Sequence, residues 1–74
     1  MREPIRAPML GKVLRLVAQP GQRVEEDETV LVIEAMKMEI EVVAPVSGTL
    51  VEVRVTADQA VEADQDLAVL ETDG

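Results

Sequence analysis

Val30-Leu31-Val32-Ile33-Glu34-Ala35-Met36-Lys37-Met38-Glu39-Ile40-Glu41-Val42-Val43 is the run on which the fold of this chain turns. No glycine or proline occurs between Val24 and Ala44. The middle of the run, Glu34 to Glu39, is made of strong helix formers. Ile33, Met36 and Ile40 would be the core stripe of such a helix. The arms read otherwise. Residues 39–43 alternate and are partly β-branched, as strands are. If both arms are strands, Ala35-Met36-Lys37-Met38 is a tight hairpin, and it lacks the Asn-Gly chemistry that such turns usually want.

An internal repeat decides between the two. Residues 7–37 laid over residues 44–74, an offset of 37 without gaps, give nine identical pairs among 31. They are Ala7/Ala44, Pro8/Pro45, Gly11/Gly48, Gln22/Gln59, Val24/Val61, Glu25/Glu62, Asp27/Asp64, Val32/Val69 and Glu34/Glu71. Average residue usage gives roughly two by chance. The matches run the length of the unit, so the duplication is real. Residues 30–34 match 67–71, where the pattern is that of a strand, and the hairpin reading follows.

Each unit opens with Ala-Pro-x-x-Gly, a turn and strand start. A β-rich run comes next: Val13, Leu14, Leu16 and Val17, or Leu50, Val51, Val53 and Val55. In the second copy the alternation is clean, with Val51, Val53 and Val55 on one parity, which predicts one buried face. Then come a turn (Gln19-Pro20-Gly21 or Ala57-Asp58-Gln59), a short piece at Val24 or Val61, an acidic turn at Asp27 or Asp64, and a second strand at 30–34 or 67–71. The expected fold is all-β: a flattened barrel or sandwich of about eight short strands in two pseudo-twofold halves. At 74 residues the chain is one domain, residues 1–74.

Composition narrows the chemistry. The chain has no cysteine, histidine or aromatic residue. Disulfides, the common zinc sites, and Ser-His or Cys-His nucleophiles are excluded. With a net charge of -8 and nothing to stack on bases, nucleic acid is a poor partner. No apolar run approaches the length that spans a bilayer. Arg2, Glu3, Pro4 and Arg6 do not make a signal peptide. A cytoplasmic setting is expected.

Glu34-Ala35-Met36-Lys37-Met38-Glu39, with Ala-Met-Lys-Met at its centre, resembles the attachment motif of the biotinyl domains, the biotin carboxyl carriers of the biotin/lipoyl attachment family. The resemblance spans roughly residues 5 to 72. It takes in both Ala-Pro-x-x-Gly openings and places the motif at the junction of the repeat, as the family does. It implies that Lys37 carries biotin as an amide and that Met36 and Met38 are read by the biotin ligase, with Ala35 and Glu34 completing the site. It implies a carrier, not an enzyme. A biotin carboxylase would load the carboxyl group using bicarbonate and ATP, and a carboxyltransferase would pass it to an acceptor, often an acyl-CoA. The halves are equal in length, so the protruding thumb of some bacterial acetyl-CoA carboxylase carriers is absent, and the resemblance is to thumbless carriers. Asp27, Asp58 and Asp64 stand where glycine is common in such turns; aspartate tolerates the left-handed backbone better than most residues.

The plainer readings are weighed against this. A lone surface lysine is usually just solvated, and a methionine pair usually fills a core; the repeat and full motif together outweigh both. Lys12, whose repeat partner is Thr49, is expected to be an ordinary solvated side chain. The acids Glu25, Glu26, Asp27 and Glu28, or Glu34 with Glu39, read as polar turns and not as catalytic or metal-binding groups. Lipoyl domains share the hairpin lysine, but their motif usually has Asp before it and Ala after, unlike Met36 and Met38. An unmodified domain whose tip binds a partner is the remaining rival. The repeat partner of Lys37 is Gly74, so the chain ends are expected at the end opposite the lysine.

Overall fold

The computed structural model describes residues 1–72. They form β1 (Arg2–Arg6), β2 (Gly11–Leu16), β3 (Arg23–Val24), β4 (Thr29–Ala35), β5 (Met38–Val43), β6 (Gly48–Val53), β7 (Ala60–Val61) and β8 (Asp66–Thr72). No helix occurs among them, and the run from Val30 to Val43 is a β-hairpin, not a helix. The strands build two four-stranded sheets, ordered β1-β8-β6-β3 and β5-β4-β2-β7. Paired strands are antiparallel. The sandwich measures 36 × 18 × 18 Å.

A shift of 37 positions turns one sheet into the other, strand for strand. The irregularities follow the same rule: the pairing slips between Val13 and Arg15 in β2 and between Leu50 and Glu52 in β6. Two-residue strands lock the halves together. β3 pairs with β6 of the second half, and β7 pairs with β2 of the first. Their valines, Val24 and Val61, are buried.

β4 and β8 are central strands, and their apolar runs 30–33 and 67–70 are buried on both faces. Ile5, Val13, Leu31, Ile33, Leu50, Leu67 and Leu70 dominate the core, and no polar side chain is buried among the described residues. Val32 points to the outer face, where Arg15 and Glu41 flank it in the register. Even there it is only 1% exposed.

Two details depart from the sequence expectation. β1 carries no period-2 apolar pattern and includes Pro4; pairing with β8 makes it a strand, and its edge position accommodates the proline. The clean alternation over residues 50–55 does not give one buried face. Leu50 is fully buried while Val51 is only half-buried, because the bulge between Leu50 and Glu52 breaks the parity.

Four turns share one construction. In each, a side chain accepts a hydrogen bond from the backbone N–H three residues earlier: Gln22 from Gln19, Glu28 from Glu25, Gln59 from Thr56 and Gln65 from Glu62. Their third residues are Gly21, Asp27, Asp58 and Asp64, with φ of +91°, +69°, +72° and +65°. Left-handed backbone at that position is the type II pattern. The three aspartates therefore do the work of glycine, as expected.

Candidate functional site

Ala35 and Met38 face each other as the last pair of the β4–β5 ladder, which leaves Met36 and Lys37 as a two-residue turn. Both are left-handed, with φ of +52° and +64°. This is the type I′ pattern, whose twist matches that of the strands it joins. Neither residue is one that favours such backbone, so the hairpin imposes the conformation. In-register pairing from Leu31 to Ala35 against Val42 to Met38 holds the turn at the end of a rigid ribbon.

The tip is convex and exposed. Met36 and Met38 are 84% and 65% exposed, so neither fills the core. Lys37 is exposed between them and makes no ion pair among the described residues. Ala35, by contrast, is buried. The structure therefore brings together the five residues read from the sequence in two layers: Met36, Lys37 and Met38 in solvent, and Glu34 and Ala35 at the neck, Glu34 with its side chain outward.

The neck holds further features. Glu34 and Glu39 are directly opposite, a like-charge pair that costs stability. Arg15 on β2 relieves it, with Nη1 3.2 Å from Glu39 Oε1. Gly11, legible only as a turn signal, lies against the backbone of Glu34. Leu10, just before it, is 67% exposed. The hairpin spacing already set Glu34 against Glu39, but no spacing rule brought Arg15 or Gly11 to the neck, because they reach it through the pairing of β2 with β4. Lys12 is exposed, with Nζ 3.8 Å from Asp58 Oδ1.

The ends of the described chain, Met1 and Thr72, lie far from this site. Thr72 pairs with Gly48, Gly48 with Val24, and the turn after Val24 leads into Thr29, the end of β4 remote from Ala35. Met1 joins the same end through its carbonyl oxygen, 2.8 Å from the Thr72 N–H. Gly74 lies outside the described residues. Among those residues no group of three or more acidic, histidine or cysteine side chains could hold a metal ion, and no helix is long and apolar enough to cross a membrane.

A twofold sandwich that displays a lysine on the turn joining its halves defines a class of small display domains. Residues 3–70 match the biotin/lipoyl family, described as biotin-requiring enzymes, and the chain belongs to that family. It is 33% identical over 70 residues to a Mycobacterium leprae biotinylated protein TB7.3 homolog, covering 95% of this chain and 99% of that one. It is 38% identical over 64 residues to the biotin carboxyl carrier protein of Streptococcus mutans, covering 86% of this chain and 49% of that protein. Among solved structures, Kluyveromyces lactis urea carboxylase superposes with a TM-score of 0.92 at 32% identity, over 96% of this chain and 6% of that one. The chain thus spans nearly all of the first relative, about half of the second and a small part of the third.

Proposed function

We propose that this chain is a biotin carboxyl carrier domain and that Lys37 is the residue to which biotin ligase attaches biotin. One observation carries the reading: Lys37 stands exposed at the tip of a two-residue turn, where the backbone is left-handed at both central positions. A modifying enzyme can approach that amine from outside, and a rigid ribbon holds it. Its ε-amine is engaged by no ion pair among the described residues, so it fits an amide to a cofactor carboxyl group. Biotin supplies a ureido nitrogen that takes up and gives back a carboxyl group. The chain supplies position: the flexible lysine stem lengthens the arm, and Met36 and Met38 offer adaptable apolar contact to visiting proteins.

On this reading the domain, residues 1–74 with the duplication at 7–37 and 44–74, does no bond-making of its own. It works in the cytoplasm between a biotin carboxylase and a carboxyltransferase, raising the effective concentration of the carried group. The names of the relatives support a carboxylase setting.

The test is the intact mass of the protein after incubation with biotin ligase, biotin and ATP, followed by peptide mapping. One biotinyl group on Lys37 is expected. Lys37→Arg is expected to abolish modification and leave the unfolding free energy within about 0.5 kcal/mol of wild type, as at other exposed positions. Biotin still attached to that variant would sink the assignment, and a wild-type chain that stays unmodified there but takes a lipoyl group on Lys37 from lipoate ligase, lipoate and ATP would move to the other branch of its family.

A further inference from the structure

The two halves of the sandwich give the hairpin an internal control. Gly11 and Gly48 open the corresponding strands β2 and β6, and each leaves no room for a side chain. A Cβ on Gly11 would lie 2.6 Å from the carbonyl oxygen of Glu34 and 3.3 Å from the Cβ of Ala35. A Cβ on Gly48 would collide with the carbonyl oxygen of Glu71. The obstacle is backbone in both cases, so something larger than a rotamer must move.

At Gly11 the part that yields is the hairpin. Gly11 is held from behind, paired with Val61 of β7. Two residues on, Val13 is tied to the 56–59 turn, donating its N–H to Gln59 O at 2.9 Å and accepting from Asp58 N–H at 2.7 Å. Glu34 and Ala35 are paired with Glu39 and Met38 of β5, but beyond Ala35 only two exposed turn residues follow, so the end of the ribbon has solvent into which it can shift as a unit. Gly48 presses on Glu71 and Thr72, at the end of the molecule opposite Lys37.

We infer that Gly11 is a positioning residue for Lys37: the absence of a side chain there sets how the β4–β5 hairpin leaves the sandwich, and so where the ε-amine is offered to biotin ligase. The inference rests on the reading of Lys37 given above.

Gly11→Ala and Gly48→Ala in the full chain separate this role from a purely structural one. Unfolding midpoints and ligase kinetics, with the carrier as varied substrate, are measured for both. Both variants are expected to lose stability to a similar extent. Gly11→Ala alone is expected to lower kcat/KM, by about tenfold or more and mainly in kcat, because a docked but displaced amine reacts slowly. Equal kinetics for the two folded variants would overturn the inference. Should Gly11→Ala not fold alone, both variants are compared in trimethylamine N-oxide, which favours the folded state. Slowed biotin transfer in folded Gly11→Ala alone supports the role of the neck contact, and equal kinetics overturn it. A wild-type chain that is not modified at Lys37 refutes the underlying reading, and the inference with it.

Discussion

Met36 and Lys37 hold a backbone that Asn and Gly would adopt with less strain. Elsewhere in the chain the left-handed positions carry Gly21, Asp27, Asp58 and Asp64, all residues that tolerate it. The rule is broken only at the displayed turn among the described residues, which is where a functional demand overrides local preference. A stability cost should therefore be recoverable there. Met36→Asn with Lys37→Gly is expected to raise the unfolding free energy by about 1 kcal/mol, read from urea denaturation, while removing the modifiable amine. An unchanged or lower midpoint would mean that Met36 and Lys37 make stabilising contacts that outweigh the strain.

At the scale of elements, the shortest strands carry a disproportionate role. β3 and β7 have two residues each, yet each pairs with a strand of the other half. Val24 and Val61 anchor them at 0% and 1% exposure. Val24→Ala and Val61→Ala are each expected to cost about 2 kcal/mol, as buried truncations do, despite the brevity of the strands. Losses below about 0.5 kcal/mol in both would show that the interlock is not what holds the halves together. The neck pair Glu34 and Glu39 belongs to this scale too. Its counterpart in the other sheet is Glu71 opposite Arg2, an ion pair of 3.3 Å, so the hairpin keeps like charges where the fold also accepts opposite ones.

For the molecule as a whole, charge opposes compaction. The net charge is -8 on 74 residues, and surface ion pairs such as Arg6 with Asp66 and Arg15 with Glu39 are exposed and individually weak. Raising salt from about 0.01 to 0.2 M should screen the excess repulsion more than it weakens the pairs, lifting the thermal midpoint by roughly 3–6 °C. A midpoint that falls with salt would show that the pairs, not the net charge, control stability. Arg54 belongs to this surface network; its guanidinium is held above its ordinary pKa chiefly by the hydrogen bond to Glu52, 2.8 Å away, and by the Glu52 charge, and so stays protonated.

The sequence by itself determined the twofold β architecture, the hairpin at its junction and the lysine on its turn. Those follow from local chemistry and from the repetition of Ala-Pro-x-x-Gly, Val24/Val61, Asp27/Asp64 and Glu34/Glu71 at a fixed offset. Helix propensity misread 34–39 because pairing between arms 30–35 and 38–43 outweighs it. Only the tertiary structure decided the strand role of Arg2–Arg6, the bulges that break the alternation at residues 14 and 51, and the contact of Gly11 with the neck. Each of these depends on which strand lies alongside, and pairing between strands distant in the chain leaves no trace in residue spacing.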